Sequence, residues 1–203
     1  MNELKKHINP IFWVRIALMI IVVSVGVIVV FNQQKSDESQ VISDEQITAA
    51  FFSAREAMEW FELTTMPIGR ESDPNMPVEA VPVDEETGGV PVYHSTIKTY
   101  NDLKSHLQSL FSDKMADDLL SSERYFDKDG ELYTIPADRG SDIGKGEETH
   151  EIIRENDKKI IYRIMVENLS YDDFETVVGY SVHDMICEYI GDKWVFTVFE
   201  LIR

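Results

Sequence analysis

One apolar run near the N-terminus limits the possible folds of this chain more than any other part of its sequence. The run covers residues 11–31, and Arg15 is the only charged residue in it. A helix rises about 1.5 Å per residue, so a helix of this length spans about 30 Å, the thickness of the hydrocarbon core of a bilayer. Residues 11–31 are therefore predicted to form a transmembrane helix.

The charges beside this run predict its orientation. Lys5, Lys6 and Arg15 lie at its N-terminal end, and such cations are retained on the cytoplasmic side of the membrane. The predicted order is a cytoplasmic segment over 1–10, a plasma-membrane anchor over 11–31, a linker over 32–42 and an extracytoplasmic domain over 43–203.

A cleaved signal peptide is the alternative interpretation of the run. Such peptides have an apolar core of about 7–15 residues and end in small residues before the cleavage site. This run is longer and is followed by Asn32, Gln33 and Gln34, so an uncleaved anchor is favoured. Both interpretations export the rest of the chain.

The charge of the exported part limits its partners. The whole chain has a net charge of −18, and residues 1–31 carry three cations and one carboxylate, which leaves −20 for the remainder. Nucleic acid is excluded as a partner, because phosphate binding needs clustered Lys and Arg. The acidity is explained either by solubility alone or by a basic protein partner. Cys187 is the only cysteine, so the domain has no internal disulfide.

Helical spacing comes first along the domain, and strand patterns follow. Capping residues Ser43, Thr99 and Ser112 precede apolar residues at helical spacing and predict three helices, the first over 44–63. Residues 64–92 hold five of the seven prolines and many carboxylates, which predicts a long loop, with disorder favoured. Three turn signals then predict hairpins: Asp129-Gly130, Asn156-Asp157 and Gly191-Asp192.

These elements predict an α+β domain in which about three helices pack on one curved antiparallel sheet. A cone-shaped sheet of the NTF2-like kind is one form that this arrangement can take. The last strand carries apolar side chains on both faces, among them Trp194, Val195 and Phe196. That strand is therefore predicted to be central in the sheet.

The sequence contains no pattern typical of a catalytic or metal site. No two of the five histidines lie within ten residues of each other, so no metal is predicted. His183 and Cys187 share a strand face, but two strand steps place them over about 13 Å apart, too far for proton transfer. We therefore predict a protein that is not an enzyme and that has no cofactor.

Residues 136–146 form the most unusual polar segment, with one proline and three glycines among charged residues. Loops of this kind often carry binding function on a rigid scaffold. The alternative is that Asp138 and Arg139 pair locally and that the glycines only form turns. The predicted partner-binding residues are Asp138, Arg139, Gly140, Ser141, Asp142 and Lys145.

A set of segments in the domain carries a resemblance to a known family: 94–103, 111–113, 125–133, 136–140 and 193–196. Through them, residues 43–203 resemble the IseA family, exported inhibitors of D,L-endopeptidases in Gram-positive cell walls. The resemblance implies a non-catalytic protein that binds a cysteine peptidase of the NlpC/P60 type and blocks its cleft. The chain departs from the family in its uncleaved anchor and in its acidic insert before His94, and either departure could indicate a different partner.

Two functions follow as hypotheses. The first is a membrane-anchored inhibitor of a cell-wall hydrolase. The alternative is a non-catalytic NTF2-like ligand-binding or sensory module at the cell envelope. Its pocket would lie between the helices and the sheet and would be lined by Trp60, Tyr162, Tyr180 or Trp194.

Overall fold

Residues 41–68, 83–140 and 142–202 are the part of the chain that the computed structural model describes. The predicted segments 1–10 and 11–31, the linker up to residue 40, the loop part 69–82 and Ser141 lie outside it. None of the helices described is long and apolar enough to cross a membrane.

The first helix confirms its prediction to within one residue. Helix α1 (Asp44–Glu62) begins at a reciprocal cap, in which Ser43 Oγ accepts from Gln46 N and Gln46 Oε1 accepts from Ser43 N, at 3.2 and 2.9 Å. These bonds satisfy two backbone groups that a helix start leaves open. The buried face of α1 carries its apolar stripe, which includes Phe51 and Phe61.

The second and third helices also begin at their predicted caps. Thr99 caps α2 (Tyr100–Leu110), and Ser112 caps α3 (Asp113–Leu120). Each cap side chain accepts a hydrogen bond from a backbone N–H in the first turn. Local sequence therefore sets the start of every helix described.

The strands form two antiparallel sheets, whereas the sequence predicted one. The small sheet has the order β1-β3-β2 and the large sheet the order β4-β5-β6-β7. The small sheet consists of β1 (Val90–Pro91), β2 (Tyr125–Lys128) and β3 (Glu131–Thr134). The large sheet consists of β4 (Lys145–Asn156), β5 (Lys159–Leu169), β6 (Val177–Ile190) and β7 (Lys193–Val198). Since β3 pairs with β1 on one edge and β2 on the other, it has no edge left for the large sheet.

The last strand, β7, lies at an edge of the large sheet, so its predicted central position is wrong. The chain after α2 covers that edge. Phe111 forms an isolated parallel bridge with Phe196, and Ser112 N donates to Phe196 O at 2.9 Å. The segment after α2 thus covers the edge of β7 in place of a neighbouring strand, which explains the apolar residues on β7.

The core lies between α1 and the inner face of the large sheet. Phe51 stacks on Tyr162, with ring centroids 4.3 Å apart. Alternate residues of β5 face this core, and Ile164 and Val166 among them are fully buried. Cys187 lies in the same core, and burial raises the pKa of its thiol to about 12. It behaves as a small apolar side chain.

His106 makes the stability of the domain depend on pH. Trp60 lies between His94 and His106, with ring centroids 5.7 and 5.6 Å away. Burial, aided by His94, lowers the pKa of His106. Because the folded-state pKa lies below the unfolded value of about 6.5, protonation favours the unfolded chain. Stability is therefore expected to fall as the pH drops through about 6.5 toward the folded-state pKa.

Denaturant unfolding at about pH 7.5 and about pH 5.5 tests this expectation, because most carboxylates stay ionised in that window. The unaltered chain should lose more stability over this range than His106→Gln. Equal losses in the two proteins would show that His106 does not carry the effect.

Candidate partner-binding site

The first part of the predicted binding segment is exposed and lies at the end of α1. Asp138, Arg139 and Gly140 are all exposed. Arg139 N donates to Leu63 O at 2.8 Å, just beyond the helix. Among the described residues, no ion pair joins Asp138 to Arg139, so the local pairing of these two side chains considered as an alternative is absent there. These side chains are available to a partner.

A buried arginine holds this part of the segment in place. Arg124 donates through Nη1 to Phe61 O and through Nη2 to Ala137 O, the latter at 2.8 Å. It thus connects the last turn of α1, where carbonyl groups lack helical partners, to the start of the segment. A cation at this end also suits the helix dipole.

The second part of the segment packs against the connection between β5 and β6. Asp142 Oδ1 accepts from Gly144 N at 2.8 Å and from the Tyr171 hydroxyl at 3.0 Å. Lys145 Nζ donates to Asn168 Oδ1 at 2.8 Å. Strand β4 begins at Lys145, so the predicted loop ends earlier than expected. Asp142 and Lys145 are thus half-buried and bonded within the domain.

The connection that Asp142 contacts, residues 170–176, carries two exposed aromatic rings. Tyr171 is 68% exposed and Phe174 41% exposed, and their ring centroids lie 5.9 Å apart in an edge-to-face arrangement. Ile143, in the neighbouring segment, is also exposed. We define the tip surface by these three apolar side chains and the carboxylates beside them: Ile143, Tyr171, Phe174, Asp142, Asp172, Asp173 and Glu175. Sequence reasoning missed it, although two aromatic residues in an acidic turn were a visible signal.

Phe174 adopts a backbone conformation that its side chain disfavours. Its φ is +54°, in the left-handed region that glycine and asparagine enter more easily, at a cost of about 1–2 kcal/mol for a bulky residue. Such residues concentrate at functional sites, where the surrounding structure holds them.

Hydrogen bonds fix the shape of the tip. Ser170 N donates to Thr176 O at 2.8 Å, which closes the loop. The Asp173 carboxylate accepts from Glu175 N, Thr176 N and Thr176 Oγ1, at 3.0, 3.0 and 2.6 Å. These bonds lower the pKa of Asp173 to about 2. A preformed loop loses less entropy when it binds a partner.

The charge around the two rings is negative. Asp172, Asp173 and Glu175 lie in the same loop, and Asp142 lies beside Tyr171. Aromatic side chains that project from an acidic rim fit a partner that offers an apolar cleft with basic residues around it. The tip surface therefore has the chemistry of a protein-binding site.

Gly144 keeps the Tyr171 ring in place and provides a test of this packing. A Cβ atom there would lie 2.9 Å from Cζ and from the hydroxyl oxygen of Tyr171, whereas one on Gly140 would meet nothing within 4 Å. Gly144→Ala is expected to displace the ring from Asp142 and to cost about 1 kcal/mol or less, since an exposed ring can shift.

Titration of the Tyr171 phenol by NMR measures this displacement. Asp142 raises the pKa of the phenol through its hydrogen bond and its charge. The pKa should therefore fall toward its ordinary value in Gly144→Ala and stay unchanged in the matched variant Gly140→Ala. The same pKa in both variants would contradict the close packing of Gly144 against Tyr171.

The aromatic residues predicted to line a ligand pocket do not lie together. Trp60 is buried in the core, Tyr180 is exposed and Trp194 is half-buried. Tyr162 lines a cavity of about 380 Å³, where its hydroxyl lies 2.9 Å from His150 Nδ1. The lining residues are Asp44, Thr48, Phe52, His150, Ile152 and Tyr162.

Potential metal ligands and the buried Cys187 are the next feature of the domain. Among them, no three His, Cys, Asp or Glu side chains are placed to hold a metal ion. His183 Nδ1 lies 2.6 Å from Glu200 Oε1, and the raised pKa of Cys187 keeps its thiol protonated. The cysteine therefore lacks the activation that a nucleophile needs.

The fold and the tip surface define an α+β domain with a rigid, acidic and aromatic projection. A search against models of protein families found no match, and a search of curated proteins found none. The resemblance to the IseA family therefore stays a prediction.

Proposed function

We propose that this chain is a membrane-anchored extracytoplasmic protein that binds and inhibits a peptidoglycan D,L-endopeptidase of the NlpC/P60 type. The observation that carries the proposal is the exposed Phe174 at φ +54°, beside the exposed Tyr171. A residue that strains the backbone at the end of a rigid projection is typical of a contact with a partner.

The shape of the tip supports inhibition of an enzyme over binding to a flat surface. A short loop that ends in two aromatic rings can enter a cleft, and aromatic residues supply much of the binding energy in protein interfaces. Asp138 and Arg139 add exposed polar groups at the end of α1, near the start of the same segment. The resemblance to IseA proteins suggests which enzyme has that cleft.

The tip lies at the opposite end of the large sheet from the point where the domain begins. Near that point, Arg154 Nη2 donates to Ile42 O at 2.8 Å and contacts Asp44 Oδ1 at 2.6 Å. From Arg154, strand β4 extends back to Lys145, and a strand rises about 3.3 Å per residue, so the two ends are about 30 Å apart.

Binding of the full chain, in detergent, to a purified NlpC/P60 catalytic domain tests the proposal. We expect a saturable 1:1 complex whose affinity falls between about 0.05 M and about 0.5 M salt, because charge attraction is screened. Absence of a complex at both salt concentrations would overturn the proposal. Extraction of the chain from membranes by alkaline carbonate, without detergent, would overturn the anchor.

A small-ligand module is the second candidate, and the cavity beside Tyr162 favours it. Its volume of about 380 Å³ exceeds the roughly 300 Å³ of the smaller ligand sites. A small molecule that shifts the NMR signals of His150 and Phe52, with no effect at Phe174, would support this candidate.

A further inference from the structure

We infer that the partner contacts a second surface, the outer face of the large sheet, which continues from the tip along β5 and β6. The inference rests on the proposed function for the identity of the partner. We define the outer face by the apolar side chains that it exposes beside the tip: Met165, Tyr180 and Val182.

Strand register places these side chains together on one face. Met165 pairs directly with Val182, and Glu167 pairs with Tyr180. Because side chains alternate along a strand, and Ile164 and Val166 are buried in the core, Met165 and its neighbours face away from the core.

The exposure of this face is unusual for a solvated sheet. Met165 is 41% exposed, Val182 57% and Tyr180 60%. The solvated face of an antiparallel sheet normally carries polar residues, and contiguous exposed apolar groups mark interaction sites. The pair Ile161 and Ile186 lies further along the same face, only half-buried.

Strand β6 connects the tip to the outer face. Strand β6 leaves the tip loop at Val177, which is exposed, and reaches Tyr180 three residues later, a distance of about 10 Å at the usual rise of a strand. A protein that covers Phe174 and Tyr171 therefore lies within reach of Tyr180 and Val182.

The charges on this face indicate what covers it. Arg163 is already paired, with Nε and Nη2 at 2.7 and 2.8 Å from the Asp184 carboxylate and Nη1 at 3.9 Å from Glu151. Glu167 adds a further carboxylate to the face. The occupant is therefore a protein with an apolar strip and basic residues beside it. A second copy of this chain would oppose carboxylate to carboxylate.

Val182→Lys tests the inference, with Val83→Lys as the matched control. Val83 is 59% exposed, close to the 57% of Val182, but lies in the segment before β1. Lysine at position 182 would place a cation against the basic partner and remove apolar contact. We expect the affinity of the full chain for the NlpC/P60 domain to fall at least about tenfold. The control should change it by less than about twofold.

The outcomes separate the inference from the proposed function. If Phe174→Gly weakens binding and Val182→Lys does not, the outer face is not a contact and the proposed function stands. If the unaltered chain does not bind the enzyme, both fail. Self-association of the unaltered chain that Val182→Lys abolishes would identify a second copy as the occupant and overturn the inference.

A second measurement covers the case in which Val182→Lys fails to fold. Methyl NMR of the unaltered chain, with and without the enzyme domain, should show shifts of the Met165 and Val182 signals, whose side chains lie on the outer face. Shifts confined to residues 170–176 would contradict a contact on the outer face.

Discussion

Phe174→Gly is expected to weaken the affinity of this chain for its partner at least about tenfold, as loss of an aromatic anchor commonly does. The same change should alter the free energy of unfolding by less than about 1 kcal/mol. Glycine relieves the strain of φ +54°, and this gain offsets the greater entropy that glycine has in the unfolded chain. Calorimetric titration and denaturant unfolding of the same protein give both values.

Phe52→Ala is the control for this variant. Phe52 is an exposed phenylalanine on α1 and lies toward the end of the domain that carries Arg154. Its replacement should leave the affinity within about twofold of the unaltered chain. If Phe174→Gly binds as tightly as Phe52→Ala, the tip surface does not contact the partner.

Phe51→Ala is expected to cause the largest loss of stability, about 3–5 kcal/mol. Phe51 is buried, stacks on Tyr162 at 4.3 Å and contacts Phe199 at 5.5 Å between ring centroids. Its removal leaves a cavity between α1 and the large sheet. Because small domains are stable by only about 5–15 kcal/mol, this variant should unfold at much lower urea concentration.

The neighbouring residue again provides the control. Phe52→Ala removes the same number of atoms one position along α1, from a side chain that is 51% exposed, and should cost about 1 kcal/mol or less, well below the loss in Phe51→Ala. Similar losses in the two variants would show that the buried face of α1 is not the one described.

Local features of this chain could be predicted from its sequence, and features that depend on distant pairing could not. Ser43, Thr99 and Ser112 cap the helices as predicted, since a cap depends on three or four adjacent residues. Strand β3 ends at Thr134. Its place in the small sheet depends on Val90, which pairs with Thr134 from over 40 residues away. Hydrophobic patterning carries no information on that choice.

The candidate site was predicted in part, for a similar reason. The glycines and charges of residues 136–146 mark a shaped segment, in which Asp138 and Arg139 are exposed. Their role in binding stays a prediction. The contact of Gly144 and Asp142 with Tyr171 joins two segments almost 30 residues apart. The left-handed conformation of Phe174 is equally invisible in the sequence, because its residue type argues against it.

The most direct test of the account is the hydrolysis of purified Gram-positive cell walls by an NlpC/P60 D,L-endopeptidase in the presence of the full chain. The measured quantity is the rate at which cleaved wall peptides are released as the chain is added to molar excess. We expect release to stop with the unaltered chain and with Phe52→Ala, and to continue with Phe174→Gly. Unchanged release at a large excess of the unaltered, folded chain would contradict it.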